Sequence, residues 1–253
     1  MTEATGDVTT YAYDSIYELT GQTKRNSGNV VQYSYSYTYD DIGNRLTLTD
    51  QGSAVTTSTY NAGGQLIGTD ASGTLTTYTY DASGNLQAEV TSAGTRSYTW
   101  DYDDRLTDIE YPDSSETNYT CNSAGQRLTK VEGGTTTRFV YDGAKVALER
   151  DGDDETQARY THEGGSLYSD LLSQRRDEAS YEYLLDGLAS VKQVVDSSQA
   201  VENSYSYEAF GQAFPQHILE GIELFVALAV AVCSQMRIWH TTTGYFPRTS
   251  EID

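Results

Sequence analysis

Side chains able to do chemistry are few here, and their spacing does not combine them. Histidine occurs three times, at His162, His217 and His240. Nucleophilic catalysis needs a base beside a Ser or Cys, and no G-x-S-x-G elbow or Cys-His context surrounds any of them. Neighbouring carboxylates such as Asp103 and Asp104 would point to opposite faces of a strand rather than share a substrate. Recurrent Asp and Gly invite a calcium loop, yet the D-x-D-x-D-G spacing with its distant Glu is missing, and GDDE at 152–155 reads as a solvated loop. Cys121 and Cys233 lie far apart, supply neither a disulfide framework nor a zinc cluster, and leave the redox compartment open. No catalytic, cofactor-binding or metal-ligating residue is assigned. The abundant group is the phenol. The 22 tyrosines could stack sugar rings, because the aromatic face is apolar and the phenol tip forms hydrogen bonds. Tyrosines at a fixed position across strands also serve the internal packing of a sheet, and that reading takes precedence.

The elements that must position these groups are strands. Tyr and Gly each occur 22 times, whereas Pro occurs 3 times and Met and Trp twice each, a balance that favours strands and tight turns over helices. The formal charge of -21 arises from 37 acidic against 16 basic residues spread along 253 positions. Such a chain cannot build the continuous positive surface that neutralises phosphates, so nucleic acid is excluded as a partner. Met1 opens directly into TEATGDVTTYAYD, without a basic segment or apolar core, so no signal peptide is expected in this chain.

Self-similarity organises the first two thirds. YAYDSIYEL (11–19), YTYDDIGNRL (37–46), TYNAGGQL (59–66), YTYDASGNL (78–86), YTWDYDDRL (98–106), YTCNSAGQRL (119–128) and FVYDGAKVAL (139–148) align, placing Asp or Asn at 14, 40, 61, 81, 101, 122 and 142. After the first interval the step is 20 or 21 residues, as in stacked supersecondary units. Alternation in YTYD puts Tyr37 with Tyr39, and Tyr78 with Tyr80, on one strand face. The Asp or Asn that follows opens a type I turn, its side chain accepting from an N–H two residues on, and Gly takes the left-handed position. This assigns Asp40 and Gly43, Asn61 and Gly64, Asp81 and Gly84, and Asn122 and Gly125 as structural turn residues of bulged hairpins. Leu46 and Leu86 are expected to face the core. Tyr17, Asp104 and Lys145 occupy the glycine position in other units, where a left-handed backbone costs more, so different turns are expected there. Turn formers at 50–52, 70–73, 91–94, 112–115 and 132–134 reverse the chain again. The fold class is therefore all-β, a tandem array of antiparallel hairpins.

These units resemble the YD repeat of the Rhs family, close to YxYDxxGxL, over residues 11–212. Residues 181–211 are similar to the Rhs-associated core, with Asp186, Leu188, Ser190, Lys192, Tyr205, Tyr207, Phe210 and Gly211 matching and Ala189 and Glu208 departing. The resemblance implies a curved or spiralling sheet forming part of a shell. It also implies a secreted or cell-surface setting within a longer chain, and an enclosed C-terminal toxin as partner. RIWHTTTGYF is similar to the stretch that precedes a self-cleaving segment in the family, but no cleavage signature follows and no protease residue is carried over. Three regions are expected: repeats over 1–150, a core-like segment over 151–212, and a divergent tail over 213–253 with an apolar run, for which a helix is one reading. The tail's AFPQHILEGIELFVALAVAVCSQM departs from the family as a frameshift or recombination scar would. Glu220 and Glu223 fall within the candidate window from Ile218 to Trp239, and the uncharged run is too short for a membrane span. The function expected is a non-catalytic structural scaffold. The alternatives are a glycan- or protein-binding adhesion module using the rows of Tyr37, Tyr39, Tyr78 and Tyr80, or a remnant without function.

Overall fold

The structure, a computed structural model, describes residues 6–51, 54–164, 171–186, 190–205, 207, 209 and 210. The expectations for Cys233, His217, His240 and the tail from 213 onward lie outside these residues. The described residues contain strands and turns but no helix, and hence no helix long and apolar enough to cross a membrane.

Alternating Thr and Tyr with few Gly or Pro interruptions produces strands, and Asp, Asn, Ser and Gly between them produce turns. The first nine strands are β1 (Val8–Tyr13), β2 (Leu19–Arg25), β3 (Val31–Tyr39), β4 (Arg45–Asp50), β5 (Ala54–Tyr60), β6 (Leu66–Ala71), β7 (Thr74–Tyr80), β8 (Leu86–Thr91) and β9 (Gly94–Trp100). Then come β10 (Leu106–Glu110), β11 (Glu116–Cys121), β12 (Arg127–Glu132), β13 (Thr135–Asp142), β14 (Lys145–Arg150) and β15 (Thr156–His162). The last are β16 (Leu171–Arg176), β17 (Ala179–Leu185), β18 (Val191–Asp196) and β19 (Val201–Ser204). Each strand pairs antiparallel with the one before it, so the chain is a meander of hairpins in one sheet. The chain forms two compact units, one of residues up to Ser97 with Ala209 and Phe210, the other Tyr98–Tyr207.

Where YD-type turns join two strands the register slips by one residue. Thr79 faces Ala88 but Tyr80 faces Leu86, which leaves Gln87 as the extra residue of a bulge. The same slip between β3 and β4 pairs Thr38 with Thr47 and Tyr39 with Arg45, leaving Leu46 over. The expectation that Leu46 faces the core is thereby corrected: Leu46 is 37% exposed and Arg45, at 8%, takes the inward place. Leu86, five positions beyond Asp81 with no extra residue between, is 1% exposed as expected. Leu19, Leu66 and Leu106 fill the equivalent place in their own units. Burying one such leucine stabilises by about 1.5–3 kcal/mol.

The expected change of turn at Tyr17 and Asp104 is also corrected. Both adopt the left-handed backbone, at φ 68° and 57°, and both donate their N–H to the turn-opening carbonyl, Tyr17 to Asp14 at 3.3 Å and Asp104 to Asp101 at 3.2 Å. The surrounding hydrogen bonds hold these non-glycine residues in a conformation that glycine would adopt more easily. Only Lys145 has a different hairpin. Asp142 pairs directly with Lys145 around Gly143 and Ala144, and Gly143 has the positive φ. At the opposite strand ends, pairs such as Ser72–Gly73 and Gly133–Gly134 have both φ positive, the two-residue turn that matches strand twist.

The second unit holds a compact cluster of Tyr183, Val191, Val194 and Tyr205, with Leu171, Tyr181, Leu185 and Tyr207 packed around it.

Candidate functional site

The chemistry of this molecule concentrates where one repeat meets the next, and it begins with the turn carboxylate or amide. Asp40 Oδ1 accepts the N–H groups of Ile42 at 3.0 Å and Asn44 at 2.8 Å. Asn61 does the same for Gly63 and Gln65, Asp81 for Ser83 and Asn85, and Asn122 for Ala124 and Gln126. In each of these turns the glycine three places on, Gly43, Gly64, Gly84 or Gly125, has φ between 76° and 89°.

A second oxygen or nitrogen of the same side chain reads the residue four places on. In three turns that open with Asp, that residue is a donor: Asn44 Nδ2 to Asp40 Oδ2 at 2.8 Å, Asn85 Nδ2 to Asp81 Oδ2 at 3.1 Å, and Arg105 Nε to Asp101 Oδ2 at 2.7 Å. Where it opens with Asn, the amide donates instead, to Gln65 Oε1 from Asn61 and to Gln126 Oε1 from Asn122, each at 2.8 Å. Donor and acceptor are matched in all five turns. The partner side chain also reaches the following turn. Arg105 Nη1 donates to the Asn122 carbonyl at 3.0 Å, and Gln126 Nε2 to the Gly143 carbonyl at 2.7 Å.

These bonds move the acid–base equilibria. The side-chain bond from Asn44, with further N–H donors, holds the Asp40 carboxyl below its ordinary value. For Asp81 and Asp101 burial acts upward, but the hydrogen bonds from Asn85 and from Arg105 outweigh it and the carboxyls lie low.

The tyrosine immediately before the turn ties each unit to its predecessor. Tyr39 Oη donates to the Leu19 carbonyl at 2.6 Å, Tyr60 to Arg45 at 3.0 Å, Tyr80 to Leu66 at 2.7 Å, Tyr141 to Arg127 at 2.9 Å and Tyr207 to Val191 at 2.9 Å. The acceptor is in every case the first inward residue after the preceding turn. Burial pushes the Tyr207 phenol up to about 12. His162 stands in the tyrosine's place in its unit and bonds the Val146 carbonyl through Nε2 at 2.9 Å; a carbonyl only accepts, so Nε2 carries the proton. Trp100, Cys121 and Leu185 fill the position elsewhere without a hydroxyl.

Sequence reasoning missed a polar knot in the second unit. Glu149 is 3% exposed, bound by Arg176 Nη2 at 2.6 Å and by Tyr160 Oη at 2.7 Å. Ala158 lies between Glu149 and Arg176 in the strand register, and its small side chain lets the guanidinium reach across an entire strand. Burial and the Glu149 charge drive the Tyr160 phenol far above its ordinary range; burial acts to lower Arg176, but Glu149 outweighs it and raises it. The carboxylate is held by both partners and is nearly closed to solvent.

Of the aromatic rows, only Tyr37 is closed to solvent, and Tyr39, Tyr78 and Tyr80 are half-buried. Tyr37 is 3% exposed, and Tyr39 and Tyr80 have their hydroxyls on carbonyls. Among the described residues no group of three His, Cys, Asp or Glu could hold a metal ion.

Residues 60–97 match the family model described as RHS Repeat. Over 206 residues the chain is 31% identical to the tRNA3(Ser)-specific nuclease WapA of Bacillus spizizenii, an overlap of 79% of this chain and 8% of that protein. Among solved structures, the Tc holotoxin pore of Photorhabdus luminescens aligns with a TM-score of 0.42 and 15% identity, covering 84% of this chain and 15% of that one. A TcdB2-TccC3 crystal structure aligns with a TM-score of 0.39 and 15% identity over the same shares. The chain thus spans a small part of the length of each of these proteins.

Proposed function

We propose that this chain, whose residues 60–97 match the RHS repeat, has an architectural role: it is a stretch of wall in a longer secreted or cell-surface protein of the polymorphic-toxin type. In this reading it performs no catalysis of its own, and the wall encloses a toxin carried elsewhere in the protein. The observation that carries this reading is the use of the polar groups. The turn carboxylates and amides bind backbone N–H groups, and five tyrosine hydroxyls bind carbonyls of the preceding unit. Groups so occupied rigidify a sheet and leave little with which to polarise a substrate. The nuclease activity in the name of the Bacillus relative then belongs to parts of that protein outside the matched region.

The test is to produce the full-length protein around this segment and follow limited proteolysis together with electron microscopy. A hollow particle whose downstream segment resists protease is the expected result. An extended particle with a freely cleaved downstream segment would exclude the wall reading.

A further inference from the structure

Inside the first unit, three neighbouring strands converge on two residues from far along the chain. Gln22 on β2 is 2% exposed; its Oε1 accepts the N–H of Ala209 at 2.7 Å while its Nε2 donates to Tyr33 Oη at 3.3 Å. On β3 the ring of Tyr37 meets that of Phe210 edge-on, centroids 5.0 Å apart at 76°. On β4 the Arg45 guanidinium lies 4.7 Å from the centre of the Phe210 ring and 5.8 Å from that of Tyr37. One main-chain N–H and one aromatic ring are thus recognised by three different chemistries.

Gln22 and Arg45 are polar residues buried on the inward face. The place of Arg45 is filled by Leu19, Leu66, Leu86 and Leu106 in other units, where an aliphatic side chain suffices for packing, and by Arg127 in another, where the guanidinium lies 4.4 Å from the centre of the Tyr119 ring. A guanidinium is costly to bury there unless something offsets its desolvation, and two aromatic rings do so. A buried glutamine amide has the same need, and the Ala209 N–H and the Tyr33 hydroxyl meet it.

We infer that β2, β3 and β4 form a seat for the Ala209–Phe210 segment, a latch that holds this distant stretch of chain on the inward face of the first few repeats within the first unit. The seat reads backbone and ring, so it recognises this segment by an aromatic residue preceded by a free N–H. This inference is independent of whether the whole protein forms a wall around a toxin.

The test is hydrogen exchange on the full chain in four forms: parent, Phe210→Ala, Arg45→Leu and both together. Arg45→Leu installs the residue that four other units carry in that place, so the unit remains folded. The expected result is that each single change speeds exchange in β2–β4 about tenfold with β10–β14 unchanged, and that the double variant is no faster than Phe210→Ala alone. Multiplying effects in the double variant, or acceleration spread equally over β10–β14, would overturn the latch.

Discussion

At Asp101 the turn carboxylate faces Arg105, a partner with donors only, whereas at Asp81 it faces an asparagine whose amide can turn to present its oxygen. Asp→Asn should therefore be tolerated at 81 and not at 101. Asp81→Asn is expected to leave the urea midpoint nearly unchanged at pH 7, while Asp101→Asn lowers stability by about 1 kcal/mol because two donors then oppose each other. The pH dependence belongs to the same residues. Asp40, Asp81 and Asp101 have folded values below the ordinary 3.8, so their stabilisation is complete above the unfolded value and disappears as pH falls through the lowered ones. A chain carrying Asp40→Asn and Asp81→Asn should lose less stability than the parent between about pH 4 and pH 2. Acid titrations followed by circular dichroism would show this, and identical acid limbs would count against it.

At the scale of the element, the bulge decides which side chains matter. Leu86→Ala should cost about 2–5 kcal/mol and Leu46→Ala less than about 0.5, although both leucines follow a YD turn. Tyr17→Gly should stabilise by about 1 kcal/mol, since Tyr17 is exposed and held at a positive φ. Denaturant midpoints of the three variants check both statements. The same bulge explains what was legible in the sequence. Hairpins, turn residues and the inward place of Leu86 follow from the spacing of Asp, Gly and Tyr. Leu46 was misplaced because an inserted residue shifts alternation by one, which sequence periodicity does not register. Glu149 was missed for the same cause. Alternation from Val146 would put Leu148 inward and Glu149 outward, but the slip after Val146 reverses them. Tyr17 and Asp104 were misread because side-chain preference alone disfavours a conformation that the surrounding hydrogen bonds enforce.

At the scale of the molecule, each described strand pairs with its neighbours in sequence, so stability within a unit is a sum of repeat and seam contributions. The tyrosine-to-carbonyl bonds are the repeated seam contribution, and a scaffold role depends on them. The direct test is to replace Tyr39, Tyr60 and Tyr80 together by Phe, which keeps the rings and removes only the three hydroxyls, and to measure urea unfolding and amide exchange of the full chain. The expected result is a loss of about 3 kcal/mol, with faster exchange at the turns opened by Asp40, Asn61 and Asp81 and no change in the slope of unfolding. An unchanged midpoint with unchanged exchange at those turns would contradict the account, because the seam would then contribute nothing to holding the repeats together.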